Sequence, residues 1–181
     1  MILNYMSKNK LKDYRVTGDL GEWYVNINLM EQGIFVFEPT IKNFPMWDFL
    51  CVDEKDEYSH IYRVSVKSSA TILHGKYITI DIAGSGRSYS SRVRKTINGH
   101  EFDVLSICLF KNIFFNNVTV IHIPITKLLG TKTLRINKYK NIIVNKENIG
   151  NVDDFLNFPE FSYRKYNFRD TDKQIYDEFI E

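Results

Sequence analysis

The chain has 181 residues, of which 44% are hydrophobic and 25% charged, the balance of a soluble globular protein built as one domain or as one domain with a short appendage. Its net charge of +2 is too small to establish a polyanionic partner by itself. No apolar run approaches the roughly 18 residues of a membrane span, and the start M-I-L-N-Y-M-S-K-N-K has no signal-like apolar region, so the sequence predicts a cytoplasmic protein with no membrane contact.

Residues 1–14 read as a lead-in carrying Lys8, Lys10 and Lys12. A helix is predicted next, with Thr17 as its cap, Asp19 in its first turn and Gly33 as its left-handed stop. At about 100° per residue, Leu20, Trp23, Ile27 and Met30 fall on one side of Glu22, and Val25 and Leu29 on the other. Tyr24, Asn28, Glu31 and Gln32 collect on the opposite arc, which is expected to be solvated. Glu22 is then expected inside the buried arc, where a carboxylate needs a cation or several donors. The plainer alternative is a pairing with a buried arginine or the capping of a neighbouring loop.

The run I-F-V-F-E-P is predicted as a strand that stops at Pro39, and P-M-W-D-F-L-C-V-D as a buried strand that Asp48 introduces. The acidic stretch at 53–59 reads as a solvated hairpin tip; Asp53 is a competing ligand at the far end of its strand from Asp48. In I-Y-R-V-S-V-K the period of two sends Arg63, Ser65 and Lys67 to one face and Tyr62, Val64 and Val66 to the other. One face is core, and the polar face presents a lysine at the strand's end.

After the alternating strand K-Y-I-T-I-D-I, the chain holds no acid between Ile82 and His100 but carries Arg87, Arg92, Arg94 and Lys95 beside Ser88. Amides, hydroxyls and guanidinium groups all donate to phosphate oxygens, so this segment is either a phosphate-tracking, nucleic-acid-binding surface or a mobile solvated loop. It is no Walker A loop, because the required spacing is missing. F-D-V-L-S-I-C-L-F and V-T-V-I-H-I-P-I are predicted strands. His122, inside the second, is expected to be a satisfied core or edge histidine rather than a base.

Cys51 and Cys108 both lie in apolar strand-like runs, and neither C-x-x-C nor H-E-x-x-H spacing occurs; structural zinc and a disulfide framework are excluded. Thr126 is expected to cap a short helix, and T-L-R-I and N-I-I-V to form a small β appendage. From Gly150 the chain turns aromatic and charged. That segment suits packing over a sheet edge, or across the interface of a homodimer or higher homo-oligomer; with Arg164, Lys165 and Arg169 interleaved, stacking on unpaired bases competes.

A glutamate on a first helix, Pro45 and Asp48 before an apolar strand, and a strand ending in Val66–Lys67 resemble the PD-(D/E)XK nuclease superfamily. The pattern is most similar to its intron-encoded homing endonucleases and Holliday junction resolvases, over roughly residues 15–125. The resemblance implies an α/β fold: a restriction-endonuclease-like core at 1–125, with a helix followed by a central mixed sheet flanked by helices, and small C-terminal additions at 126–181 packed on the same domain. It implies a Mg²⁺-dependent (or Mn²⁺-dependent) endonuclease with DNA as its partner. Asp48, Glu22 and the Val66 carbonyl would hold the metal, and Lys67 would act on the attacking water. Ser65 stands where the family usually has an acid two residues before the lysine, so the missing carboxylate would come from Glu22, Glu101 or Asp103, or from nothing. In that last case the chain is a weakened or inactive nuclease fold that binds nucleic acid or a protein partner.

Overall fold

The computed structural model describes residues 14–39, 47–53, 60–70, 76–82, 97, 102–110, 117–137 and 139–159. The predicted helix is α1, Tyr14–Glu31. Thr17 and Asp19 therefore lie inside it and not at its cap or first turn. Its C-terminus is as expected: Gly33 takes φ 79°, which costs a residue without Cβ little. Ile34 N–H then reaches the Leu29 carbonyl at 3.0 Å and Gly33 N–H reaches that of Met30 at 3.0 Å. This paired arrangement satisfies the last carbonyls and buries Ile34 with Leu29.

The central sheet contains β1 (Phe35–Phe37), β2 (Phe49–Asp53), β3 (His60–Ala70), β5 (Val104–Phe110) and β6 (Val118–Pro124), in the order β1-β2-β3-β5-β6. It is mixed, because β3 and β5 run parallel while the other neighbours are antiparallel. Every residue of β5 is buried, as a strand covered on both faces requires. A second, antiparallel sheet has the order β4-β7-β8-β9, from Tyr77–Asp81, Thr133–Asn137, Ile142–Val144 and Asn148–Asn151. The strands expected from T-L-R-I and N-I-I-V are β7 and β8, and β4 joins them from far upstream by pairing Ile78 with Ile136 and Ile80 with Leu134.

Three layers result. Val25 and Leu29 of α1 pack with Phe49, Cys51, Val64, Val66 and Cys108 on one face of the central sheet. On its other face Leu105, Ile107, Ile121 and Ile123 meet Ile78, Ile80, Leu134, Ile136 and Ile143 of the second sheet. The α/β architecture with a mixed central sheet is the one expected; α1 covers one face, and among the described residues a sheet covers the other. Thr126 lies within a short 3₁₀ turn, Ile125–Lys127, whose cap is Pro124, so it caps nothing. No helix among the described residues is long and apolar enough to cross a membrane.

The inward arc of α1 differs from the one predicted. Trp23 and Met30 are 56% and 63% exposed, whereas Asn28 and Gln32, expected in solvent, face inward and are bonded there. The reason is Gly21, where an added Cβ would meet Ser68 Cβ and Oγ at 2.6 Å and Cys108 Cβ at 3.6 Å. The helix lies directly against β3 and β5 at this residue, and the arc through Gly21, Val25, Asn28, Leu29 and Gln32 follows from that approach.

Candidate functional site

The site is built from one edge of β3. Phe49 pairs with Val64 in the antiparallel register of β2 and β3, and Asp48 N–H reaches the Val64 carbonyl at 2.8 Å, so Asp48 comes level with Ser65. Its Oδ2 accepts the Val66 N–H at 2.5 Å and the Ser65 hydroxyl at 3.3 Å. Both bonds go to one oxygen. A residue in an extended strand points its N–H and C=O to the same edge, so the Val66 carbonyl faces the edge Asp48 occupies. Lys67 follows on β3, half-buried, on the Ser65 side of the strand. The predicted parity of β3 is the observed one: Tyr62, Val64 and Val66 are buried on the α1 face.

Glu22 comes to this edge from α1, though not from the buried arc. One position on from Gly21, it is an exposed residue at the flank of the helix. Its carboxyl is nonetheless pushed up to about 7, first by the protein surface that displaces water from it and then by the negative charge of Asp48, with Asp19 and Glu38 adding to the effect and Lys67 opposing it. Asp48 is thus the strongest charged neighbour of Glu22. The negative charge of Asp48 beside the Glu22 carboxyl, with the Lys67 ammonium opposing it, makes an edge that favours an added cation.

Glu38 escapes a motif-based search, because it follows β1 with no spacing that marks it. The register shows where it lies: Phe37 pairs with Leu50, so the next residue of β1 runs toward the end of β2 where Asp48 sits. Asn26, one helical turn beyond Glu22, keeps a buried Oδ1 without a partner among the described residues. No three His, Cys, Asp or Glu side chains among the described residues stand close enough together to hold a metal by themselves.

The other acids considered as ligands are placed elsewhere. Asp103 accepts from Arg63 Nε at 3.0 Å and from the Arg63 backbone N–H at 2.8 Å through Oδ2, and pairs with Arg63 Nη2 at 3.0 Å through Oδ1. A carboxylate held on both oxygens by a guanidinium is committed. Moreover, Val64 pairs with Val104 and Lys67 with Ile107, which sets Asp103 about 13 Å back along the sheet from Lys67 at the usual strand rise. Asp53 pairs with His60 at the far end of β2. Glu101 lies outside the described residues, as do Arg87, Ser88, Arg92, Arg94 and Lys95.

His122 is the satisfied core histidine expected. Its Nδ1 meets Ser106 Oγ at 2.8 Å and its Nε2 meets Asn28 Oδ1 at 2.8 Å, and burial pushes its pKa down to about 4. Asn28 Oδ1 also accepts from Gln32 Nε2 at 2.8 Å, and Gln32 Oε1 accepts the Phe158 N–H at 2.6 Å. This chain of bonds ties α1, the central sheet and the C-terminal segment together. Burial raises the thiols of Cys51 and Cys108 to about 12, so neither is a nucleophile near neutral pH.

No family model matches the chain, and no curated protein is similar to it in sequence. Among solved structures it is similar to a bacterial homing endonuclease, with 12% identity and a TM-score of 0.47 over 92% of this chain and 93% of that one. Likeness at that level decides neither family nor activity, and the functional reading stands on the residues.

Proposed function

We propose that the protein is a divalent-metal-dependent endonuclease that hydrolyses DNA phosphodiester bonds at the edge formed by Glu22, Asp48, Val66 and Lys67. The observation that carries this reading is the fixing of Asp48 to Val66 at the strand edge while the same carboxylate hinders ionisation of Glu22. The donors suit a hard cation of the Mg²⁺ or Mn²⁺ class: Asp48 Oδ1, left over by the bonds to Oδ2, the Val66 carbonyl, and Glu22 directly or through water. Such an ion, when bound, would offset charge on the scissile phosphate and acidify a water.

The chain's own groups divide the remaining work. Asp48 is presented in one orientation by two donors to Oδ2, so Oδ1, which takes no bond from a described residue, needs no reorganisation. Lys67 supplies positive charge that orients the attacking water or stabilises the negative charge developing on phosphate. Glu22, pushed up to about 7 while no ion is bound, gives up its proton when the cation takes its place. The water oxygen forms the new P–O bond, and the bond to the departing sugar oxygen breaks.

A second reading is favoured by Ser65, whose hydroxyl stands against Asp48 where the superfamily it resembles carries an acid. On that reading the fold binds nucleic acid or a protein partner without cutting. Plasmid nicking with and without Mg²⁺ or Mn²⁺, run beside Lys67→Ala, separates the two: metal-dependent nicking abolished in the variant supports the nuclease, whereas no nicking with either ion refutes it.

A further inference from the structure

Outside this edge the second sheet holds a cavity of 420 Å³ lined by Gly130, Thr131, Lys132, Thr133, Arg135, Val144, Asn145 and Lys146. Its shape comes from the turns that bound it. Asn145 Nδ2 donates to Thr131 Oγ1, which ties the turn after β8 to the segment before β7, and Asn145 N–H bonds to the Glu147 carbonyl at 2.8 Å to close that turn. The outward positions of β7 supply Thr133 and Arg135, because Leu134 and Ile136 point into the core. Three cations therefore face one hollow together with two threonines and an amide. Lys132, Arg135 and Lys146 make no ion pair with any described residue. The nearest acids by register and sequence are Asp81, opposite Thr133, and Glu147, and neither lines the hollow.

We propose that this cavity is a phosphate-binding site for the nucleic-acid backbone, a second point of attachment that shares no residue with the Glu22–Asp48 edge. The proposal rests on the nucleic-acid reading above and extends it to a surface no motif marks. Hydroxyls, an amide and cations are the groups that take phosphate oxygens without reading bases. All three cationic residues are exposed, which decides between a small anion and a polymer. A solvated ammonium or guanidinium holds a free ion weakly, but a polyanion gains from counterion release without requiring those groups to leave water. The cavity's rim is also where a basic stretch of sequence begins and ends. Ile82 N–H bonds to the Lys132 carbonyl at 3.1 Å, Ile97 N–H to that of Thr131 at 3.1 Å, and Gly130 N–H to that of Ile97 at 2.9 Å. The residues between Ile82 and Ile97 include Arg87, Arg92, Arg94 and Lys95.

The test is the salt dependence of duplex binding by the full chain, with Ca²⁺ as the only divalent ion. A triple variant, Lys132→Ala, Arg135→Ala and Lys146→Ala, is compared with one that removes equal charge elsewhere, Lys76→Ala, Lys127→Ala and Lys140→Ala. The cavity variant should weaken binding to unrelated duplexes alike and reduce the slope of log K against log salt by about 0.9 for each phosphate no longer neutralised, hence up to about 2.7; the control should keep its slope. Equal reductions in both variants, or none in the first, overturn the proposal. So does saturable binding of inorganic phosphate in the cavity, read by amide shifts of Thr131 and Lys132, with an unchanged duplex slope. Wild-type protein that never nicks DNA while the slope still falls in the cavity variant sinks the nuclease and leaves this site standing. The reverse result sinks only the site.

Discussion

The Ser65 hydroxyl lies 3.3 Å from Asp48 Oδ2, on the oxygen that also takes the Val66 amide. An acid at position 65 would therefore bring its charge directly against Asp48. Ser65 is only 6% exposed, so Ser65→Glu should lower thermal stability in a chelator and regain it with Mn²⁺, by more than the wild type gains. If one ligand is all the site lacks, nicking at low metal concentration should rise. Unchanged stability in both conditions would place residue 65 away from any bound ion.

Glu22 makes a prediction about pH. Its folded-state pKa of about 7 lies above the ordinary 4.5, so the folded chain holds a proton that the unfolded chain has released. Stability from this group is complete below about pH 4.5, falls as pH rises toward 7, and is flat above that. Because the residue is exposed, solvent screening reduces the effect to the order of 1 kcal/mol. Glu22→Gln should remove that slope in urea unfolding between pH 5 and 8. Mn²⁺ added to the wild type near pH 6.5 should release a proton that the variant does not.

Gly21→Ala should lift α1 off the sheet. The new Cβ would sit 2.6 Å from Ser68 Cβ, which has no rotamer by which to move away, and overpacking of this kind costs about 1–3 kcal/mol. Adding Ser68→Gly should recover most of the loss. Absence of any loss in the single variant would mean that the helix stands further from β3 than this spacing indicates.

Burial of His122 acts in the opposite direction to Glu22. The imidazole's folded pKa of about 4 lies below its ordinary 6.5, so the unfolded chain binds the proton first. Stability is complete above about pH 6.5 and is lost as pH falls toward 4, to the extent of about 3 kcal/mol for a fully buried group. Asn28→Leu should strip the acceptor from His122 Nε2 and Gln32 Nε2 together and cost more than about 2 kcal/mol at pH 7. In the Glu22→Gln background the acid-side loss should stand alone in the unfolding curve.

What could be read from the sequence follows from which interactions are local. The parity of β3 was legible because Val64 and Val66 alternate with Ser65 and Lys67, and a period of two needs no knowledge of the partner strand. The face of α1 was not, because it is set by a glycine and two amides. Gly21, Asn28 and Gln32 score as neutral or polar in any hydrophobic count, while exposed Trp23 and Met30 score as core. Asp48 was visible as a charge at the start of an apolar strand. Glu38 and the commitment of Asp103 to Arg63 depend on strand register, which local spacing does not encode. The second sheet needed the pairing of β4 with β7, two strands separated by some fifty residues of chain.

That pairing also governs how the protein can be made. The path from β3 to its parallel neighbour β5 detours through β4, which belongs to the other sheet. On a ribosome, β3, β5 and β6 emerge before β7, so the apolar side of the central sheet at Leu105, Ile107, Ile121 and Ile123 waits uncovered while β4 has no strand to join. Long-range pairing of this kind is slow relative to hairpin closure, and exposed sheet faces attract other chains. A nascent chain stopped short of Asn137 should thus be the species most prone to aggregate, and chaperones should engage it most while the last strands of the second sheet are still inside the exit tunnel.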